Sequence, residues 1–306
     1  MNYREMLVET ANRSRSLVCM GADPVIERIP TNKTSVEEKI FCFYEDIINA
    51  LLSEDELVSA IKPNYAFYAQ YGFEGLRALK RLIDFSKTKG FPTILDAKRG
   101  DIGKTSAAYS NEVFDFFGAD AVTISPYMGS DSVTPFINRS KNEGKGVYIL
   151  ARTSNIGAAD LQDLVTLEGE PLFLRTIKKT VSWAQKGGGN VGAVVGATSL
   201  RELSEIYRAL VEEKQMIPLL IPGVGTQGGS AGDVVSSVVE ASKGVSLDDA
   251  TIKTDLLTIR INSSSGINYA YERKGTSDYA KAAVQAVREL NREIDGALRK
   301  EKIRLY

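Results

Sequence analysis

The sequence predicts an α/β protein with the (β/α)8 TIM-barrel architecture. Three observations carry this. Eight short apolar runs recur along the 306 residues, each followed by a helical pattern. Several runs are rich in Val and Ile and free of charge, as strands buried on both faces require. Charged and hydroxylic residues gather just after the runs, at the strand ends where a barrel builds its site.

The runs cover residues 17–21, 57–61, 92–95, 119–124, 146–150, 191–195, 217–221 and 257–261. Between them lie the helices. Ser35 and Glu38 have capping-box spacing before Ile40, Phe41, Tyr44, Ile47, Ile48 and Leu51, which share one helical face. Ser199 and Glu202 repeat the spacing before Leu203, Ile206, Leu210 and Val211. Gly118 and Gly187 stand where helix C-caps are expected. The last helical pattern spans residues 277–300. One barrel domain over residues 1–306 is expected, with an N-terminal helix and a helical insertion between strands 7 and 8. The alternative is a doubly wound open sheet, which announces a dinucleotide site by a glycine-rich first turn. Here strand 1 ends in Gly21, Ala22, Asp23 and Pro24, which is not that motif.

Composition excludes several functions. A 43% hydrophobic and 25% charged chain buries a core and is not disordered. Lys and Arg number 38 against 39 Asp and Glu, so bulk positive charge for nucleic acid is missing. Histidine is absent, which removes His triads and His metal sites. The two cysteines, Cys19 and Cys42, form no Cys-x-x-Cys pair or disulfide framework and suit a reducing cytoplasm. No signal-peptide core or membrane-length apolar stretch occurs, so a soluble, unexported protein is expected. Chemistry must come from carboxylates, lysines, hydroxyls or an oxygen-ligated metal.

The sharpest motif is Asp96, Lys98 and Asp101 after strand 3. In an extended strand, i and i+2 share a face, so Asp96 and Lys98 point together into the barrel mouth. Lys62 joins them from strand 2, and Asp101 lies in the following turn. Opposite charges in alternation keep lysines protonated and aspartates ionised in a partly dry site. A fixed ammonium then stabilises a developing carbanion and protonates it. A structural salt-bridge network at the rim is the plainer alternative. The second motif is the glycine-rich turn 222–229, together with Ser263, Ser264, Ser265 and Gly266 after strand 8. Loops 7 and 8 are the usual phosphate site of this fold, and glycines allow backbone N–H groups close approach. Such a turn also serves simply to reverse the chain. Ser154 and Asn155 after strand 5 offer hydrogen bonds to a polar ring edge, or an ordinary turn. Asp23 offers a carboxylate to sugar hydroxyls, though Asp-Pro also starts turns.

Together these pieces resemble the orotidine 5′-monophosphate decarboxylase family, in its longer branch. The resemblance runs in order through Val18–Pro24, Ile61–Tyr68, Leu95–Thr105, Thr153–Asn155, Pro222–Gly229 and Asn262–Ile267, nearly the whole chain. The Asp96–Gly103 segment is its most specific part. The resemblance implies decarboxylation of orotidine 5′-monophosphate to UMP in pyrimidine synthesis, without cofactor or metal, on a homodimeric barrel with shared active sites. By resemblance, Lys62, Asp96, Lys98 and Asp101 form the charged array, and Lys98 donates the proton to C6. Asp96 crowds the substrate carboxylate, and Asp23 and Lys62 hold the ribose. Ser154 meets the pyrimidine edge, and Gln227 helps bind phosphate beside the loop-8 residues Ser265 and Gly266. Asp101 and Thr105 reach the partner's site. One departure stands out: the family usually carries a phosphate-gripping arginine where this chain has Ser265. Arg260 lies five residues earlier in the same strand. A Mg-dependent β-ketoacid decarboxylase or epimerase of the same barrel superfamily, and a non-catalytic nucleotide binder, are the competing readings. A Schiff-base aldolase using Lys98 is disfavoured, because flanking aspartates keep that lysine protonated.

Overall fold

The computed structural model describes residues 1–55, 58–225 and 228–306. Its strands are β1 (Val18–Ala22), β2 (Ala60–Pro63), β3 (Ile94–Arg99), β4 (Ala121–Ile124), β5 (Gly146–Arg152), β6 (Val191–Val195), β7 (Leu219–Pro222) and β8 (Arg260–Ser263). All ladders are parallel, in the order β2-β1-β8-β7-β6-β5-β4-β3. Parallel bridges Ile61↔Thr93 and Asn64↔Asp96 join the two ends and close the barrel. Helices follow the strands on the outside. Helix Tyr3–Ser14 precedes β1, and helices Ala231–Gly244 and Asp249–Leu256 lie between β7 and β8. Among the described residues, no helix is long and apolar enough to cross a membrane.

Strand alternation sorts the side chains into two cores. Val18, Met20, Ile61, Leu95, Val122 and Ile149 face outward and pack under the helices. Cys19, Ala60, Ile94, Ala121, Tyr148, Val194 and Leu220 face inward and form a separate cluster with Tyr3 and Leu7. Helix Tyr3–Ser14 therefore plugs the N-terminal end of the barrel. Its start is fixed by a complete capping box: Glu5 N–H donates to Asn2 Oδ1 at 3.0 Å, and Asn2 N–H donates to the Glu5 carboxylate at 2.9 Å.

Arg260 pairs in register with Leu220 and is fully buried at this closed end. Its Nη1 donates to Ile259 O at 2.8 Å and Leu257 O at 3.1 Å. Its Nη2 donates to Leu7 O at 2.5 Å and Thr10 Oγ1 at 3.0 Å. Burial pulls its pKa below the usual guanidinium range. Arg260 thus ties β8 to the plug helix and is remote from the strand C-termini, so it does not stand in for a cation beside Ser265. Arg260→Ala should cost about 2–5 kcal/mol, as other large-to-small core changes do. Arg260→Met keeps most of the volume but gives up the four hydrogen bonds, so it should cost roughly 1–3 kcal/mol, less than alanine. Urea midpoints at constant slope measure both; equal losses would show that the hydrogen bonds, not packing, matter at this position.

Several sequence expectations need correction. The β3 run was expected at 92–95, yet the strand extends through Asp96 and Lys98 to Arg99. The β2, β7 and β8 runs are likewise displaced toward their C-termini, and Leu57 lies outside the described residues. The reason is common to all four: the upper half of each strand lines a polar cavity, so hydropathy ends before the strand does. Ser35 caps helix Val36–Ser53 by accepting from Glu38 N–H at 3.2 Å. The Glu38 carboxylate, however, takes Arg81 at 2.5 Å. At Ser199 no side-chain cap forms, and Glu202 lies 3.7 Å from Arg152 instead. Gly187 is the C-cap of helix Leu172–Lys186, as expected, its N–H donating to Trp183 O, and the left-handed Gly188 (φ 69°) and Gly189 (φ 81°) follow it.

Candidate active site

Two residues beyond the inward apolar layer, the same parity brings Lys62, Asp96, Thr123, Leu150, Pro222 and Asn262 into the barrel mouth. They line a cavity of about 560 Å³ together with Asp23, Arg28, Lys98, Ser154, Ser265 and Tyr269. That volume suits a ligand of nucleotide size. On β1 the matching position is Gly21. A Cβ there would lie 1.8 Å from Ser264 Oγ, so the loop after β8 sits close only because this residue is glycine.

Asp96 is the centre of the charged group. Lys62 Nζ donates to Asp96 Oδ2 at 3.1 Å, and Lys98 Nζ donates to Oδ1 at 2.6 Å. Thr123 Oγ1 donates to the same Oδ1 at 2.8 Å and accepts from Lys98 N–H at 3.0 Å. The expected i, i+2 pairing of Asp96 and Lys98 is present but is not made by a regular strand. Lys98 has φ 46°, and the β3–β4 register shifts between Leu95 and Arg99. A non-glycine residue held there costs roughly 1–3 kcal/mol, a cost tolerated mainly where function needs it. The bond from Lys98 N–H to Thr123 helps hold the kink. Thr123 was missed in the sequence. Its signal was a hydroxyl in the apolar β4 run, two residues after the inward Ala121.

Burial alone would lift the Asp96 pKa. Lys62, then Lys98 and the hydrogen bonds from Lys98 and Thr123, outweigh it and hold the carboxyl well below the usual range. Burial would push Lys62 down, but Asp96 and Asp23 outweigh it and hold the ammonium above its usual value. Because the folded pKa of Asp96 is depressed, its stabilisation is present above the unfolded carboxylate value of about 4. It is lost as pH falls from there toward the folded value, since the unfolded chain takes up the proton first. The stability gap between the parent and Asp96→Asn should therefore be flat above about pH 5 and narrow progressively as pH falls through and below about 4. Urea unfolding at each pH checks this; a constant gap would mean that Asp96 is not held ionised by its neighbours.

The remaining predicted residues divide into three groups. Asp23 and Ser154 line the cavity. Asp23 Oδ1 is buried and accepts no hydrogen bond among the described residues, an acceptor left for a hydroxyl donor. Ser154 is seated against β6: a Cβ on Gly196 would come within 2.7 Å of Ser154 Cα. Asp101 and Thr105 do not line this chain's cavity. Asp101 Oδ1 accepts from Ile102 N–H at 2.7 Å, and Thr105 is exposed near the start of helix Gly103–Asn111. One chain therefore brings together Lys62, Asp96 and Lys98, but not Asp101. Arg99, inside the same motif, turns outward to Glu112 at 2.7 Å and stacks on Tyr65 and Tyr109.

Around loops 7 and 8, Gln227 lies outside the described residues. Gly225, Gly228 and Gly229 direct their N–H groups to carbonyls of their own turn, not outward as expected for a phosphate cradle. Ser265 lines the cavity and opens the single-turn helix Ser265–Asn268. Gly266 is buried behind it and its carbonyl accepts from Arg273 at 2.7 Å. Arg28, which sequence reasoning passed over, lines this end of the cavity.

A closed parallel barrel with a lysine–aspartate–lysine cluster at its C-terminal mouth defines a (β/α)8 protein of the enzyme class. Comparison with known proteins narrows this. The Orotidine 5'-phosphate decarboxylase / HUMPS family matches residues 16–254. Orotidine 5'-phosphate decarboxylase of Thermomicrobium roseum is 40% identical over 293 residues, covering 94% of each chain. That of Roseiflexus castenholzii is 39% identical over 300 residues, covering 98% of this chain and 99% of its own. The solved OMP decarboxylase of Leishmania donovani superposes with a TM-score of 0.71 at 30% identity, covering 96% of this chain and all of the other. The chain belongs to the orotidine 5'-phosphate decarboxylase / HUMPS family.

Proposed function

We propose that this protein decarboxylates orotidine 5′-monophosphate to UMP and CO2, as a carboxy-lyase of pyrimidine biosynthesis. The observation that carries the reading is Asp96 fixed between Lys62 and Lys98 in a nucleotide-sized mouth. It is supported by whole-length relatives that carry this activity in their names.

In this reading the substrate carboxylate lies beside Asp96, which its lysines keep ionised. Two like charges 4 Å apart repel by about 4 kcal/mol at an effective dielectric near 20. Enzymes lower barriers by about 8–23 kcal/mol, so repulsion is the smaller part. The larger part is a preorganised ammonium facing the charge that develops at C6. The bond from C6 to the carboxylate breaks, CO2 leaves, and the electron pair stays on C6. Lys98 Nζ then gives its proton to C6, forming UMP, and is reprotonated from solvent. Asp23 and Lys62 hold the ribose, with Asp23 Oδ1, which accepts no hydrogen bond among the described residues, taking one from a ribose hydroxyl. Ser154 meets the pyrimidine edge, and Gln227, Ser265 and Gly266 belong to the phosphate end. The working form is a cytoplasmic homodimer in which Asp101 and Thr105 complete the partner's site. The whole chain acts as one domain, with no cofactor or metal in the reaction.

Loss of orotidine monophosphate absorbance on adding purified protein tests the reading, with and without EDTA. Turnover insensitive to EDTA is expected. Turnover abolished by EDTA favours the Mg-dependent alternative. Heat of UMP binding without CO2 release favours a nucleotide binder.

A further inference from the structure

The cavity is lined by three cations among the described residues: Lys62, Lys98 and Arg28. Both lysines are committed to Asp96. Arg28 comes from the short helix Ile26–Arg28 after β1 and meets Glu272 in the segment after β8. β8 neighbours β1 in the barrel, so these two loops are adjacent.

Arg28 is held from several directions. Its guanidinium carbon lies 3.7 Å from the centre of the Tyr269 ring. Its Nε and Nη2 donate to the two Glu272 oxygens at 2.9 and 2.6 Å. Its own carbonyl accepts from Tyr271 Oη at 2.6 Å. The loop carrying it is stapled too: Val25 N–H donates to Tyr269 Oη at 2.7 Å, and Tyr269 Oη donates to Asp23 O at 3.1 Å. Tyr269 is one helical turn beyond Ser265, with its N–H donating to Ser265 O at 3.1 Å. A planar guanidinium is therefore stacked one turn from the position where this chain carries serine. A guanidinium has five N–H donors, and Nη1 makes no hydrogen bond among the described residues.

From this placement we infer that Arg28 is the phosphate-binding cation of this site, supplying from loop 1 the charge that Ser265 does not supply from loop 8. Tyr269 and Glu272 are its positioning residues. The stacked ring fixes the plane of the fork, and Glu272 holds one edge so that the other meets the anion. Arginine suits this because its fork matches phosphate geometry and is already ordered. Arg260 cannot compete, because it is buried at the closed end of the barrel. Arg273 is engaged with the Gly266 carbonyl.

The inference rests on the nucleotide reading of the cavity, but its test does not need turnover. Binding of UMP and of uridine is measured by titration calorimetry, with uridine at millimolar concentration. Arg28→Gln should weaken UMP roughly 10- to 150-fold, the range for one hydrogen-bonded charge, and leave uridine within about twofold. Unchanged UMP binding, or equal loss for both ligands, overturns the assignment. The second arm uses Ser265→Arg. On the Arg28→Gln background it should restore at least about tenfold in UMP affinity; in the parent it should gain only a few-fold, because one phosphate is already gripped. Equal gains in both backgrounds overturn the assignment. Absent decarboxylation by the parent defeats the proposed function alone, since the UMP and uridine comparison still reads out Arg28.

Discussion

Lys98→Ala should lose at least about a thousandfold in single-turnover decarboxylation while the barrel stays folded. A positioned proton donor is worth roughly 10²–10⁴-fold, and loss of the ammonium's electrostatic stabilisation adds to that. The fold should survive because the Lys98 side chain is about half exposed, at 48%. What the barrel needs from residue 98 is its backbone: the N–H on Thr123 and the turn at φ 46°. Alanine retains the N–H and adds only a small left-handed penalty to one already present. Asp96 keeps Lys62 and Thr123 as partners, so the buried carboxylate is not abandoned. UMP binding should change little, because the lost interaction matters most as charge develops. Activity within tenfold of the parent, on a variant with parental circular dichroism, would sink the assignment of Lys98 as proton donor.

Asp101→Ala should be comparably inactive, yet recover when mixed with Lys98→Ala under conditions of subunit exchange. The structure motivates the second half. Asp101 points to no group of its own cavity, and its carboxylate is satisfied locally by Ile102 N–H. A catalytic role for it therefore needs a second copy of the chain. In a twofold-symmetric dimer of one variant with the other, one site combines intact Lys98 with intact Asp101, and the second site lacks both. Random exchange should restore about a quarter of parental sites. Proven exchange without recovery would mean that the site is built within one chain and that Asp101 is an ordinary turn residue.

Much of this site is legible in the sequence. Asp96 and Lys98 share a short motif, and Lys62 ends another apolar run. The β3 motif is nevertheless less regular than its spacing implies. Strand parity alone would pair Asp96 with Lys98; the structure pairs them through a left-handed kink supported by Thr123. The strand ends were misplaced for a related reason. Hydropathy marks where a strand is buried in apolar surroundings, and the upper barrel interior is a polar cavity.

The eight-fold alternation, the motifs at the strand ends, the absence of histidine chemistry and the family resemblance can all be read along the chain. These are local or compositional properties, carried by neighbours along the chain and by periods of 2 and 3.6 residues. Which charges meet is set by how the chain folds back on itself. Lys62 and Asp96 are 34 residues apart in sequence, and Arg28 and Glu272 are 244 apart. Nothing local distinguishes Arg28, which grips a cavity wall, from Arg260, which pins a plug helix at the opposite end. Barrel closure makes that distinction. It sets β8 beside β1 and sorts each inward side chain by its height along the strand, and neither relation is written in local spacing.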